Sequence, residues 1–507
     1  MEDNALPFAS YSPATVWTTI AVFVPLLIFV GRRLWTSSSD DDRGIPTAPG
    51  AIPVIGHALL YKHDPPGFLN KTCEQVGPIF RINLAGKHMI LIGRDCPALR
   101  QVTNSTESIC SARDAVAAFG FEEILGYQNV HVGTDIHKQI LKGVLFEPSK
   151  YKAEIPKLYQ AVERAFDAEL SLFQEDGNVI YAPDFLQLVR RVVMRATVER
   201  LVGSTFLEQG GPQFVTDFSV FQDALEDATA KAAVLPRWIA LPACLWPVQR
   251  CRLTLQTKIV AILEHVFQHK ESVLGLWLEK VKEDQSVEDI AELIVGLLFA
   301  AHKNPAIGAA QAFLFLKERA TPEDRTQCQA EAKRMAEYPT VDTLESCHRL
   351  KRVCLETLRL TAHSIGAVRL ARKTFILDQT KYVVKRGETI GLAHITQSLD
   401  ESSWKNATQF DTSLHEDALY KDPYKFTAFS HGIHKCPGQV LATSNMIITL
   451  TVLMAKYDVV TASSIPPVSF ERATLAQREG PVSVSMQLKK ADGTFGRAPA
   501  VATMTRS

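Results

Sequence analysis

The sequence has no net charge and no paired-cysteine motif. Among its 507 residues, 55 lysines and arginines balance 55 aspartates and glutamates, which argues against a nucleic-acid partner. Nine cysteines are scattered without C-x-x-C spacing, and this indicates a reducing compartment rather than a disulfide framework. No G-x-G-x-x-G motif opens a strand-to-helix turn, so the sequence shows no nicotinamide or flavin fingerprint of its own.

A long apolar run lies at the N-terminus. Residues 15–30 are almost wholly apolar, and with their flanks they reach the roughly 17–20 residues that span a bilayer. Acidic residues precede the run and Arg32 and Arg33 follow it, which places the N-terminus in the lumen and the remaining chain in the cytosol. A cleaved signal peptide is disfavoured because basic residues follow the run and no clear cleavage site is visible. We predict a lumenal segment at 1–14 and a single-pass transmembrane anchor at 15–35.

Composition divides the rest of the chain into a linker, one large domain and a tail. Residues 36–56 begin polar and end rich in proline, which stiffens the chain. Apolar residues recur three and four apart over 150–281, as in amphipathic helices, whereas strand-like runs at 79–92 flank a turn and predict a hairpin. We therefore predict a linker at 36–56, a mainly α domain with smaller β-sheets at 57–490, and a flexible tail at 491–507.

The stretch at 429–438 carries the clearest chemical signal. It has the form F-x-x-G-x-x-x-C-x-G, with Phe429, Gly432, Cys436 and Gly438 at the specified positions, and an apolar helix follows. Backbone N–H groups at the start of a helix can donate to sulfur and stabilise a thiolate, and Gly432 permits a close backbone approach. A single cysteine is more often a small buried hydrophobe, but this spacing is far rarer. Cys436 is therefore predicted to ligate haem iron as a thiolate.

This stretch resembles the haem-binding signature of the cytochrome P-450 family, in which an arginine usually stands at the position of His434. The resemblance extends over about residues 46 to 490 and implies a single large haem domain of the P-450 fold. It implies haem b with Cys436 as the axial ligand, Phe429 packed over the proximal ring face, and His434 hydrogen-bonded to a haem propionate. It also implies a microsomal protein, anchored in the endoplasmic reticulum membrane with its catalytic domain cytosolic.

The apolar stretch from Ser286 to Arg319 predicts one long helix, with Ser286 and Asp289 as its capping pair. In the family, the equivalent helix crosses the distal haem face and carries A-G-x-(D/E)-T, which relays protons to oxygen. Aligned on Ala301, the acid of that motif becomes Asn304 and the alcohol becomes Pro305. A helical proline lacks an N–H and frees the carbonyl four residues earlier, so we predict that Ala301, Asn304 and Pro305 form the oxygen-binding turn.

The sequence leaves open whether two basic residues of this helix, His302 and Lys303, face the haem or point away from it. The segment around them resembles the sterol 7-alpha-hydroxylases of bile-acid synthesis and prostacyclin synthase. The first group oxygenates its substrate, whereas the second rearranges a peroxide without external electrons. Two reaction types therefore remain open.

An E-x-x-R motif, Glu356 and Arg359, lies between the long helix and the cysteine. Such a pair is ordinarily a weak surface interaction, but its place in the chain resembles the family's buried Glu–Arg pair. The family completes this network with an arginine where this chain has Leu414, which leaves His415 as a substitute. The resemblance also implies that Arg369 and His137 bind haem propionates.

The resemblance implies a monooxygenase that hydroxylates or otherwise oxidises a lipophilic sterol, terpenoid or other secondary metabolite. Electrons would come from NADPH through NADPH-cytochrome P-450 reductase, with cytochrome b5 as a further partner. A haem-thiolate isomerase or dehydratase acting on a peroxide is the alternative, motivated by Pro305, and a non-catalytic haem-binding protein is a third possibility. The sequence leaves open the substrate, the position oxidised and the residue that delivers protons.

Overall fold

The computed structural model describes residues 44–489, with gaps at 133–135, 140, 142–147, 174, 177, 236, 267–284, 413–416, 462–463 and 472–474. The predicted lumenal segment at 1–14, the anchor at 15–35 and the tail at 491–507 lie outside the described residues, as do Leu414 and His415.

Helices make up most of the described chain, as predicted. In chain order they are α1 (Ala58–His63), α2 (Pro65–Val76), α3 (Pro97–Asn104), α4 (Ala112–Ala118), α5 (Phe121–Leu125), α6 (Pro148–Leu170), α7 (Phe185–Leu201), α8 (Ser204–Val234), α9 (Arg237–Ala240), α10 (Trp246–Val266), α11 (Val287–Glu318), α12 (Pro322–Glu337), α13 (Val341–Glu345), α14 (His348–Leu360), α15 (His394–Ser398), α16 (Asp417–Lys421) and α17 (Gln439–Lys456). Short π-helical turns occupy Gln128–Val132 and Leu241–Leu245, and a 3-10 turn occupies Gly432–His434.

The strands form small sheets, also as predicted. They are β1 (Ile79–Leu84), β2 (Lys87–Gly93), β3 (Cys110–Ser111), β4 (Glu175–Asp176), β5 (Val179–Ala182), β6 (Ala367–Ala371), β7 (Phe375–Ile376), β8 (Val383–Val384), β9 (Thr389–Ala393), β10 (Tyr457–Thr461), β11 (Val468–Ser469), β12 (Gln477–Arg478) and β13 (Val484–Leu488). A five-stranded sheet has the order β1-β2-β9-β6-β3, and a four-stranded sheet has the order β10-β13-β5-β4. The predicted hairpin is β1 and β2, paired antiparallel from Ile79 opposite Ile92 to Leu84 opposite Lys87.

Helix α11 forms the centre of the helical core. It begins at the predicted cap, where the Ser286 hydroxyl accepts from the backbone N–H of Asp289 and the Asp289 carboxylate accepts from the N–H of Ser286. Helices α7, α10, α14 and α17 pack around it. Because neighbours cover most of its circumference, α11 is apolar on nearly every face rather than along one stripe.

Two helices among the described residues, α11 and α17, are long and apolar enough to cross a membrane. The most apolar windows of these helices are 78% and 61% buried inside the protein. Because their apolar surface is already covered by protein, both are core helices. The membrane anchor predicted from sequence is a separate, N-terminal segment.

The proline-rich half of the predicted linker is part of the folded domain. Ile45 and Ala48 are buried, and the backbone N–H of Ala48 donates to the carbonyl of Arg81 on β1 at 2.9 Å. The His57 ring is fully buried and joins Ala48 to Asn83. Buried contacts therefore begin within the predicted linker at 36–56, ahead of residue 57 where the domain is predicted to start.

Candidate active site

A cavity of about 290 Å³ lies between α11, α14 and the loop that precedes α17. Apolar side chains form much of its wall, namely Leu141, Leu297, Leu358, Leu441, Met446 and Leu475. Polar and basic side chains reach it from several elements, namely His137, Lys138, Asn304, His363, His434 and Lys435. The cavity therefore offers a large apolar volume with charged groups confined to part of its wall.

Cys436 reaches this cavity from the end of a tightly held loop. Its backbone N–H donates to the carbonyl of Phe429 at 2.8 Å, and Phe429 itself lines the cavity while packing on Phe426. The Cys436 side chain is exposed, and since it lines the cavity, that exposure faces inward. Burial raises the pKa of the Cys436 thiol, and the N–H of Gly438, at the start of α17, opposes the rise. The predicted N–H donor is thus present but does not outweigh the desolvation of the sulfur.

Gly432 allows the close backbone approach that the sequence predicted, and the group it approaches belongs to the protein itself. Its φ is +68°, and a Cβ there would lie 2.2 Å from the carbonyl oxygen of Thr103 on α3. Any side chain would push the loop away from α3. Gly432 therefore sets the position of the cysteine loop against α3. Gly438 lies at the cavity wall, where a Cβ would have only the Cys436 sulfur nearby, at 3.9 Å.

Across the cavity, α11 presents Ala300, Ala301, Asn304 and Pro305. Helical backbone continues through every residue of this turn, so the proline does not end the helix. Because Pro305 has no N–H, the carbonyl of Ala301 has no donor four residues later. The predicted turn therefore faces the predicted ligand Cys436, with a polar amide at Asn304 and a backbone acceptor at Ala301.

The two basic residues of α11 face away from the cavity. His302 is buried against the Phe218 ring, with centroids 5.6 Å apart, and its Nδ1 lies 2.8 Å from the carbonyl of Leu298. Lys303 is paired with Glu226 of α8 and lies 3.6 Å from Asp223. Burial lowers the pKa of Lys303, while the Glu226 carboxylate acts in the opposite direction. Of the choices left open by the sequence, the structure selects the outward one for both residues.

The E-x-x-R pair is fully buried. Two hydrogen bonds of 2.7 and 2.8 Å join the Arg359 guanidinium to the Glu356 carboxylate. The remaining guanidinium hydrogens donate to backbone carbonyls of Ser398, Ala407 and Gln409. A surface pair is therefore excluded, because both side chains are at most 1% exposed.

The Glu356 carboxylate also binds a tyrosine that sequence reasoning missed. The Tyr420 hydroxyl donates to Glu356 at 3.1 Å, and the backbone N–H of Asp411 donates to the same carboxylate at 3.1 Å. Burial, followed by the nearby Glu356 charge, raises the pKa of Tyr420. No sequence pattern marks Tyr420, since it lies 64 residues from Glu356 and is brought there only by the fold.

A cluster of basic groups lies beside the cysteine loop. Arg369 on β6 is 3% exposed; one Nη donates to the carbonyl of Val368, whereas Nε and Nη2 have no partner within the described ranges. Burial lowers the pKa of Arg369, and the Glu107 carboxylate opposes this shift. The His434 Nε2 lies 3.0 Å from a Glu107 oxygen. Sequence reasoning placed both basic residues here but missed Glu107.

His137 also lines the cavity. Its Nε2 is 3.2 Å from the carbonyl of Leu293, and burial lowers the pKa of His137 to about 4. It is therefore neutral near pH 7, and its one N–H is donated to the Leu293 carbonyl, so it offers a propionate neither a donor nor a positive charge. Lys138 and Lys435 also line the cavity and are its cationic side chains beside the histidines.

These features fit a haem. Cys436 supplies a sulfur ligand that faces the cavity, and a thiolate is a known axial ligand of haem iron. The buried guanidinium of Arg369, with two hydrogen-bonding nitrogens unused by the described protein, and His434 suit the carboxylates of haem propionates. The class of haem-thiolate enzymes is defined by a cysteine ligand, a carboxylate-binding cluster and a helix along an apolar cavity.

Comparison with known proteins gives the same class. The family model described as Cytochrome P450 matches residues 46–486, so the chain belongs to the cytochrome P450 family, whose enzymes are haem-thiolate monooxygenases.

Its curated relatives are distant in sequence but matched over most of their length. "Lanosterol 14-alpha demethylase" of Mus musculus is 22% identical, over 80% of this chain and 80% of the relative. "Cytochrome P450 720B2" of Pinus taeda is 24% identical, over 85% of this chain and 89% of the relative. "Cytochrome P450 26B1" of Danio rerio is 24% identical, over 86% and 87% respectively.

Proposed function

We propose that this protein is a membrane-anchored monooxygenase that oxidises a lipophilic small molecule, a sterol, terpenoid or other secondary metabolite. Electrons come from NADPH through NADPH-cytochrome P-450 reductase, with cytochrome b5 as a second donor. The observation that supports the proposal is a single cavity whose lining includes Cys436 together with Ala301, Asn304 and Pro305. A haem bound through Cys436 supplies oxygen binding and O–O cleavage, which thiolate donation favours.

A lipophilic substrate is supported by the cavity wall. Leucine and methionine side chains form much of the wall, and burying apolar surface there stabilises an apolar ligand by roughly 25 cal/mol per Å². The printed names of the murine and other mammalian relatives specify lanosterol, a sterol. Sterols are therefore the first substrates to test.

In this proposal each wall of the cavity has a separate task. Arg369 and His434 would hold the carboxylates of a haem, and Phe429, which lines the cavity, would pack against its ring. Ala301 leaves room for oxygen because its side chain is a single methyl group, and its free carbonyl accepts from an ordered water. Asn304 positions that water through its amide, which both donates and accepts.

Membrane attachment is supported by the N-terminal apolar run and by exposed apolar groups on the described surface. Trp238 on α9 is 76% exposed and Val220 on α8 is 61% exposed. Tryptophan favours the membrane–water interface. We place the protein in the endoplasmic reticulum membrane with its catalytic domain cytosolic. Deleting residues 1–35 should release the protein from membranes while haem binding persists, and loss of haem from a soluble truncated chain would contradict this division.

The deciding experiment incubates the purified protein with reductase, NADPH and isotopically heavy O₂ over a panel of sterols and terpenoids, followed by mass spectrometry. The proposal expects reductase-dependent products that carry the heavy atom. Omitting the reductase provides the matched control, because a monooxygenase then makes no product. Products that form without reductase and without the heavy atom would contradict the proposal.

A peroxide isomerase or dehydratase is the second candidate. The observation that favours it is the absence of the acid–alcohol pair from the cavity-facing turn, where Asn304 and Pro305 stand instead. Such an enzyme needs no protons relayed to oxygen and no electron donor. It would convert a hydroperoxide or endoperoxide with neither NADPH nor reductase present, and the same mass-spectrometric assay separates the two reactions.

A further inference from the structure

Behind the cavity wall lies a pair of buried histidines that no part of the haem site uses. His394, the first residue of α15, is 3% exposed, and His431, in the cysteine loop, is fully buried. Their rings meet edge to face with centroids 5.0 Å apart. The two elements that carry them are distant in sequence, so only the fold creates this pair.

The ring nitrogens of this pair lack protein partners. Within the part of the chain that the structure describes, Nε2 of His394 and both nitrogens of His431 make no hydrogen bond. Burial lowers the pKa of His431 to about 4, and burial with the neighbouring His431 lowers the pKa of His394 well below its ordinary value. Both rings are therefore neutral near pH 7, so His431 has a donor and an acceptor nitrogen to satisfy, and His394 has Nε2.

Another buried histidine shows that this situation is not general in the protein. His57 is also fully buried, but its Nε2 lies 2.8 Å from the carbonyl of Ala48 and its Nδ1 accepts from the backbone N–H of Asn83 at 2.9 Å. Buried polar groups without protein partners are usually satisfied by ordered water. We therefore expect ordered water at the unpartnered ring nitrogens of His394 and His431.

The pair lies between the cavity and the surface. On the inner side, His363 lines the cavity and is close enough to act on His394 electrostatically. On the outer side, the charges of Asp95 and Arg100 act on His431, and that ion pair is substantially exposed. His363, His394 and His431 thus connect the cavity side of this region to its surface side.

We propose that His394 and His431 hold a chain of buried waters that conducts protons from the surface at Asp95 and Arg100 to the cavity at His363. This inference rests on the proposed monooxygenase function, which consumes protons when oxygen is reduced with electrons from the reductase. Each water accepts a proton on its outer side and releases one on its inner side, so the chain itself is unchanged. The relay supplies the protons that an acid–alcohol pair on α11 would deliver if this chain had one.

Charged and titratable groups around the relay are few. Arg369 on β6 lies near both histidines and disfavours their protonation. Tyr424 packs edge to face on His431 from the other side, with centroids 5.0 Å apart, and its hydroxyl bonds to Thr103 and Asn104. A positive neighbour keeps both imidazoles neutral, which suits them to hold water rather than to store a proton.

The first test is direct and independent of activity. A crystal structure of the full-length, haem-loaded protein should show ordered waters within hydrogen-bonding distance of His394 Nε2 and of a His431 nitrogen. Dry ring nitrogens at a resolution that shows the other buried waters would overturn the proposal. This result does not depend on the reaction catalysed, so it separates failure of the relay from failure of the proposed function.

The second test compares His431→Phe with His57→Phe by thermal unfolding. Phenylalanine fits between the aromatic neighbours of His431 but binds no water, so the unfolding temperature should stay the same or fall. A rise would mean that the nitrogens were dry and unpaired, which contradicts the relay. His57→Phe must lower the unfolding temperature, because it strands the carbonyl of Ala48 and the N–H of Asn83.

The third test follows protons. His431→Phe should keep the thiolate-type CO spectrum but make several-fold less product per NADPH, with a larger rate ratio between H₂O and D₂O. His431→Gln should recover much of the loss, because its amide again donates and accepts. His348→Phe, at an exposed position at the start of α14, provides the control and should behave as wild type. Unchanged coupling and an unchanged isotope ratio in His431→Phe would refute proton conduction even if waters are present.

Discussion

The two walls of the cavity differ in how their polar groups find hydrogen-bond partners. Behind the cysteine wall, the Glu356–Arg359 pair is surrounded by protein hydrogen-bonding groups, with Tyr420 among them. On the opposite wall, α11 turns Asn304 toward the cavity and leaves the Ala301 carbonyl without its helical donor. Around the Glu356–Arg359 pair the first wall is closed, because both charges are matched by protein groups. The second is open to water and ligand, and it is also where the chain departs most from its family's motif.

This difference indicates which parts of the fold tolerate amino-acid substitution. A buried ion pair tolerates little change, because removing one partner strands the other at a cost of about 3–5 kcal/mol. A cavity-facing turn can exchange an acid–alcohol pair for an amide and a proline without such a cost, since water satisfies whatever faces the cavity. The predictions below test this contrast, beginning with the largest effect.

Cys436→Ser should have the largest effect. A serine hydroxyl does not replace a thiolate as a donor to iron, so the reduced CO complex should lose the red-shifted absorption band of thiolate-ligated haem. Turnover should disappear with it. Difference spectroscopy on freshly purified protein measures the band, and Cys251→Ser, at an exposed cysteine away from the cavity, is the matched control. Persistence of the band in Cys436→Ser would move the ligand elsewhere.

Glu356→Ala should prevent stable haem incorporation, because it leaves the Arg359 charge buried and unpaired. The expected loss of stability is about 3–5 kcal/mol. Tyr420→Phe removes only a hydrogen bond to a charged group and should cost about 1.5–3 kcal/mol. Haem content per protein and chemical denaturation rank the two variants. Recovery of Glu356→Ala as stable, fully haem-loaded protein would show that the closed wall is not required.

Lys303→Met tests the outward face of the open wall. Lys303 ties α11 to Glu226 of α8, and its removal should cost about 3 kcal/mol because a buried carboxylate loses its partner. The double variant with Glu226→Met removes both charges and should recover most of the stability. Denaturation curves of the single and double variants form a cycle, and additive losses would argue against coupling between α8 and α11.

Pro305→Ala should stabilise the fold, the opposite direction to the changes above. Alanine restores an N–H for the Ala301 carbonyl, and proline in a helix interior is about 3 kcal/mol worse than alanine, so unfolding should shift to higher temperature. Turnover should fall while NADPH consumption is diverted to hydrogen peroxide, because the carbonyl no longer binds water.

Pro305→Thr sharpens the same comparison. Its hydroxyl can replace the lost water-binding group, so the coupling of NADPH to product should be closer to wild type than in Pro305→Ala. Peroxide and product are measured in the same reaction. Identical, tightly coupled turnover in wild type and both variants would show that this turn has no part in proton delivery.

Sequence reasoning succeeded where a motif is short and local. The cysteine loop, the cap of α11 and the β1–β2 hairpin depend on residues within a few positions of each other, so their patterns can be recognised directly. Proline spacing predicts a stiff linker at 36–56 but says nothing of what it packs against; in the structure Ile45 and Ala48 are buried, and the Ala48 N–H donates to the Arg81 carbonyl on β1. Sequence reasoning left His302 and Lys303 undecided, because helical spacing alone does not say which face meets which neighbour.

By itself, the sequence determined the mainly helical architecture, Cys436 as the candidate ligand and the order of Glu356, Arg359 and Cys436 along the chain. Tertiary structure alone decided that Tyr420 serves Glu356, that Glu107 lies against His434, and that His394 meets His431. These contacts join residues whose separation in the chain exceeds any local periodicity. Periodicity reports which face of an element is apolar, but the packing of distant elements decides which polar groups find partners and which are left to water.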